Sequence, residues 1–203
     1  GYVSEAAMFA RGQLRPPAPV WVDGATWNNA ALTASPVGYR PSQQTILLAP
    51  VYSPGLPLIM AGFQLAAGPG AVFYVVPVLG VIAIWATWLL GKELGGVWTG
   101  AIAATLMTTS PAFLMMLVQP VSDVPGTAFW TLSLVAACRG QGMAVAGAAT
   151  AAILVRPNIV PLAAVPLLLL LLAHGGFRVR TAFAFAATVL PAPAAIAFLN
   201  WYF

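Results

Sequence analysis

Charge is what this sequence has least of. Of its 203 residues only 6% are charged, eight Lys or Arg against four Asp or Glu. Ordinary soluble domains carry about 25% charged residues. So few charges cannot cover a soluble globule of this size, and the solvent for most of the chain must be lipid. One cysteine, Cys138, excludes an internal disulfide. One histidine, His174, has no second His, Cys or acid near it in sequence, which argues against a metal site there. The chain also lacks a P-loop, a GxGxxG fingerprint and a CxxC pair, so the usual phosphate-cradle, dinucleotide and thiol-redox classes find no support. The net charge of +4 is small and its arginines are scattered. That is not the footprint of a nucleic-acid binder, and no nucleic-acid partner is expected.

What the chain does have is apolar sequence: 61% of residues are hydrophobic, with a mean hydropathy of +0.90. It falls into two parts. Residues 1 to about 53 are mixed, punctuated by Pro and Gly, and hold Glu5, Arg11, Arg15, Asp23 and Arg40. From Pro54 onward almost everything is apolar. The stretch 54–68 is short enough for an interfacial or re-entrant helix. Spanning candidates follow at about 71–90, 97–118, 124–138, 142–155, 157–173 and 181–200. Ser110–Pro111 should kink the second of them. The expected fold is all-α: a polytopic transmembrane bundle of about six helices over residues 69–203. Residues 1–68 form a large extracytoplasmic first loop with juxtamembrane helices. The chain starts at Gly1 and stops at Phe203 within an apolar run, and reads as a fragment cut at both ends.

Loop charge sets an orientation. Lys92 follows the first span, Arg139 the third, and His174, Arg178 and Arg180 the fifth. Alternation puts those three loops on one side, which the positive-inside rule makes cytoplasmic. Trp88 and Trp98 flank the first of these loops, as interfacial anchors do. The N-terminal region, the Gln119–Asp123 loop, the Arg156–Pro157–Asn158 turn and the end near Asn200 share the other side.

Two of the spans are short. Residues 124–138 and 142–155 number about 15 and 14, or roughly 21–23 Å of helix, against an apolar core of about 30 Å. Asp123 and Arg156, at their outer ends, would then lie below the outer surface, where a charge is costly unless it faces water or a partner. The spacing therefore predicts a recessed pocket shared by the two. Each has a plainer reading. Ser122 and Asp123 precede "VPGTAFW", so Asp123 could simply start a helix. Arg156 could snorkel rather than clamp a phosphate or carboxylate, with Asn158 adding a polar group in the same turn. Glu5 lies in "GYVSEAAMFARG", a short amphipathic helix stopped by Gly12, where it could pair with a nearby arginine or face solvent. Gly91/Gly95 and Gly96/Gly100 have the spacing of closely packed helices.

Several pieces together carry a resemblance: "GYVSEAAMFARGQL" (1–14), "YSPGLPLIMAGFQLAAG" (52–68), "GKELGG" (91–96), "TSPAFLMMLVQPVSDVPGTAFWTLSL" (109–134) and "AAILVRPNIVPLA" (151–163). In this order they resemble the N-terminal half of a lipid-dependent membrane glycosyltransferase of the GT-C class. The nearest branch is the family 39-like group of protein O-mannosyltransferases and aminoarabinose transferases. The resemblance implies a polyprenyl-phosphate sugar donor and an acceptor hydroxyl on a glycan, lipid or protein. It implies an active site on the extracytoplasmic side of a bacterial inner membrane. It places the main catalytic acid just ahead of Gly1, so the chain alone would be inactive. Asp123 and Glu5 become the candidate catalytic carboxylates, and Arg156 with Asn158 the donor-phosphate contacts. Tyr2, Tyr52 and Arg40 become loop residues at the pocket. The resemblance fixes no cofactor and leaves a divalent metal open. Two other classes stay open: a secondary transporter fragment, for which broken helices with recessed charges also suit, and a non-catalytic membrane scaffold.

Overall fold

A computed structural model of the chain describes residues 1–14, 35–41, 48–173 and 179–202. His174 and Arg178, expected in a cytoplasmic loop, lie outside the described residues, as do Arg15 and Asp23.

The fold is mostly helical. Helix α1 (Tyr2–Ala10) ends where Gly12 adopts φ +69°. The Gly12 and Gln13 N–H groups return to the Phe9 and Met8 carbonyls, closing the last turn as a left-handed glycine cap does. Strands β1 (Tyr39–Pro41) and β2 (Leu48–Pro50) pair antiparallel. This small ribbon is a local addition to a fold that is otherwise helical, as expected. Its entry depends on Gly38 at φ +95°, where a Cβ would stand 2.5 Å from the Tyr52 ring and 2.8 Å from the Gly1 nitrogen. Helix α2 (Gly55–Ala67) follows and packs on α1. It ends at Gly68, also at positive φ, which is where the first loop was expected to close.

Pro69 opens a 3-10 turn (Pro69–Tyr74) that runs directly into α3 (Val75–Gly95). Together they form an apolar helix of 27 residues, about 40 Å long. Lys92 lies in its last turn rather than in a loop, with its ammonium 5.3 Å from the Trp88 ring centroid. Gly96 reverses the chain into α4 (Val97–Thr109). The two helices touch through glycine: a Cβ on Gly91 would come within 2.7 Å of the Gly100 Cα. Ser110 breaks the next segment. Its extended backbone and Pro111 end α4 and open α5 (Pro111–Leu117), bent by 65°. Pro cannot supply the missing helical N–H, so the break falls where proline chemistry puts it.

Then come α6 (Asp123–Cys138) and α7 (Gly142–Val155). The α6 end repeats the glycine cap of α1, with Gly140 at φ +69°. After an extended Arg156, a 3-10 turn (Pro157–Ala163) leads into α8 (Ala164–Ala173). Helices α9 (Val179–Val189) and α10 (Pro191–Tyr202) together give a second long apolar stretch, Arg180–Trp201, of 22 residues.

Two cores hold these elements. One joins α1, α2 and α3 to the start of α6 and to Val155 at the end of α7. The other joins the end of α6 to α7, α8, α9 and α10. Many large apolar side chains stay outside both, among them Leu94, Trp98, Leu106, Leu172, Phe183 and Trp201. A soluble monomer rarely exposes apolar surface on that scale. Two helices among the described residues are long and apolar enough to cross a membrane, or three if the bent α4–α5 pair counts as one span. That marks the chain as membrane-associated. The shorter α6, α7 and α8 stretches, also expected as spans, fall below that length. The pairs α4–α5 and α7–α8 are divided by Ser110–Pro111 and Arg156–Pro157. No single helix between Gly96 and Ala173 reaches 18 residues.

Candidate functional site

The polar residues of interest gather at one end of the helices. Asp123 is the first residue of α6. Its carboxylate does not cap the helix; Oδ1 accepts a hydrogen bond from Nη1 of Arg156 in a close ion pair. The expectation that Asp123 serves only to start a helix is therefore incomplete. Arg156 leaves α7 with extended backbone, which turns its side chain across to α6. Gly126 makes the space. A Cβ there would stand 2.9 Å from the Arg156 Cδ, so the stem of the arginine lies over the bare backbone of α6. Glycine inside a helix costs about 1 kcal/mol relative to alanine, and here the reason for it is visible. Both side chains keep partial solvent access, 34% for Arg156 and 49% for Asp123.

A cavity of about 590 Å³ opens beside this pair. Arg156, Asn158, Ser122 and Tyr52 give it polar groups. Leu58 from α2, Leu154 from α7, and Ile196 and Leu199 from α10 give it apolar walls. Tyr2 and Tyr52 stack at its side, ring centroids 4.4 Å apart, and the Tyr2 hydroxyl donates to the Ser122 Oγ at 3.1 Å. The N-terminal loop is pinned to the helices around this space. Ser53 donates to the Leu154 carbonyl. At Gly55 a Cβ would stand 2.5 Å from the same carbonyl. Arg40 donates at 3.0 Å to the Asn200 carbonyl near the end of α10, so it ties the ribbon to the cavity wall instead of lining the cavity.

Glu5 departs from its simple reading. It neither pairs with a described arginine nor faces solvent: it has no accessible surface. Its Oε1 accepts the Tyr52 N–H at 3.4 Å, and its Oε2 has no hydrogen-bond partner. Burial raises its pKa to about 7, because removing the carboxyl from water penalises the charged form. It stands behind Tyr52 rather than in the cavity, and Asp123 is not among the lining residues either.

The arrangement can hold an amphiphilic anion: a guanidinium and an amide beside apolar walls, with a carboxylate already on the guanidinium. Among the described residues, no three His, Cys, Asp or Glu side chains come together to hold a metal ion. Sequence reasoning missed Ser53, Gly55, Gly126 and the α10 wall. Gly126 carried a usable signal, as a glycine inside a helical stretch. The α10 wall carried none, because its leucines look like any other lipid-facing residues. No family model, curated protein or solved structure matches the chain.

Proposed function

We propose that the chain forms part of a membrane glycosyltransferase of the GT-C kind, built as a polytopic bundle in a bacterial plasma membrane. Its cavity opens on the extracytoplasmic side and takes a polyprenyl-phosphate sugar. The observation that carries the reading is the meeting of Arg156 with apolar walls in one cavity. A lipid phosphate needs both, a cationic fork for its oxygens and a lipid-like surface for its tail. In the transfer step the acceptor oxygen attacks the anomeric carbon, and the sugar–phosphate bond breaks. The phosphate leaves with the electron pair, and the acceptor proton passes to a carboxylate. Arg156 stabilises the charge that grows on the leaving phosphate. Asp123, exchanging Arg156 for the incoming acceptor, takes or orients the proton. A transporter reading draws on the 65° break at Ser110 and the extended Arg156.

Donor binding separates the readings. The chain in liposomes, exposed to a photoreactive polyprenyl-phosphate sugar, should crosslink within α10, and Arg156→Ala should lose most of that labelling. Undiminished labelling in Arg156→Ala would refute the assignment. The orientation has its own check in a Cys138→Ala background, with cysteines at positions 39 and 92. An impermeant thiol reagent on intact cells should label position 39 alone, and labelling at 92 alone would invert the topology.

A further inference from the structure

The transfer step proposed above does not draw on Glu5, and the surroundings of this residue point to a separate role. The side chain is wholly buried between α1 and the segment after β2. One carboxyl oxygen has a single long hydrogen bond and the other has none. An ionised carboxylate in that position would leave a buried charge almost unsolvated, which proteins avoid by keeping the proton. The groups facing it are few. Among the described residues, the Gly1 amine is the one charged group acting on it, and it is hydrogen-bonded to the Val37 carbonyl at 2.8 Å. Tyr2 and Tyr39 face it as neutral phenols, each with its pKa raised by burial. Helix α2 and the 3-10 turn after it, both packed on α1, bring no charged side chain.

The position of Glu5 links it to the cavity. The residue it holds by the backbone is Tyr52, whose ring stacks on Tyr2. Tyr2 in turn bonds Ser122, the neighbour of Asp123. The path from the buried carboxyl to the ion pair therefore runs through two aromatic residues of the cavity wall.

We infer that Glu5 is a positioning residue that holds the Tyr2–Tyr52 wall of the cavity as a neutral acid, so that the wall tightens when Glu5 is protonated and loosens when it ionises. This holds for any cavity ligand and does not depend on sugar transfer. The sign follows from linkage. The native carboxyl titrates at about 7 and the unfolded one near the ordinary value of about 4.3. The native state therefore binds more protons across that window. Stability from this group is full below the unfolded value, falls as pH rises through the window, and is flat above it.

The test uses Glu5→Gln, which keeps an oxygen to accept the Tyr52 N–H and cannot ionise. Thermal unfolding of the detergent-solubilised chain should show wild type losing stability between pH 5 and pH 8 and Glu5→Gln losing much less. The variant should match wild type at pH 5 and exceed it at pH 8. Hydrogen exchange over residues 48–54, corrected for intrinsic rates, should show wild-type protection falling several-fold between the same pH values, while the variant holds. Two results would overturn the proposal: equal pH slopes for both proteins, or protection over 48–54 that does not change with pH. If Glu5→Gln fails to fold, Glu5→Met serves in its place, because a neutral side chain of similar length must flatten the same profile.

Discussion

Two ion pairs among the described residues stand at the two ends of α6, and they differ in what surrounds them. At one end Arg139 bonds Glu93 at 2.7 Å, tying the turn after α6 to the last turn of α3. At the other end Asp123 bonds Arg156. The exposures are similar, 35% and 32% for the first pair, against 34% and 49% for the second. The difference lies in the neighbours. Around Glu93 and Arg139 the neighbouring Leu94, Gly95, Gly140 and Gln141 are exposed. Around Arg156 a glycine is cut out of α6, a helix ends early, and a cavity opens. Exposure alone would rank the two pairs as equals; only the second is built into its surroundings.

The largest expected effect breaks that difference at the cavity end. On the proposed transfer reading, Arg156→Ala should lower sugar transfer by about 10²–10³, the usual cost of losing one charge-stabilising contact in a transfer site. Asp123→Asn should fall in the same range while unfolding near the wild-type temperature. Transfer from a polyprenyl-phosphate sugar, run beside thermal unfolding, checks both. Wild-type transfer by Asp123→Asn would reduce this pair to the status of the other.

Next in size is Gly55→Ala. Its Cβ would meet the backbone of Leu154, which cannot swing aside, so the strain should cost about 1–3 kcal/mol. For a chain of this length each kcal/mol lowers the unfolding temperature by about 2–4 °C. Gly126→Ala sharpens the contrast. Its Cβ would meet the Arg156 stem, which can move, and alanine favours the helix by up to about 1 kcal/mol. Stability should stay within about 1 kcal/mol of wild type while donor crosslinking falls, a split that calorimetry and labelling would show together. The smallest effect belongs to the other end. Glu93→Gln should change stability by no more than about 1 kcal/mol and leave donor labelling unchanged. A loss of labelling there would mean that the two ends are coupled through α6.

Much of the helix layout was legible in the sequence, because glycine and proline act locally. Gly12, Gly68, Gly96 and Gly140 end helices or turn the chain through a positive φ that few other residues adopt, and Ser110–Pro111 breaks one for want of an N–H. Composition alone required lipid as solvent, because twelve charged side chains cannot cover 203 residues. Asp123 and Arg156 stood out for the same reason, as rare charges beside short apolar segments. Their partnership did not. They are 33 positions apart, and only the packing of α6 against α7 at Gly126 brings a carboxylate and a guanidinium into contact. Glu5 shows the limit most clearly. Its place in an amphipathic helix allowed solvent or an arginine as its neighbour. The tertiary structure instead folds α1 against α2 and the chain after β2, and buries the carboxyl. Local backbone chemistry is written residue by residue. Burial, and with it the protonation of Glu5 and the shape of the cavity, depends on which distant segments share a surface, and that is decided when the helices pack.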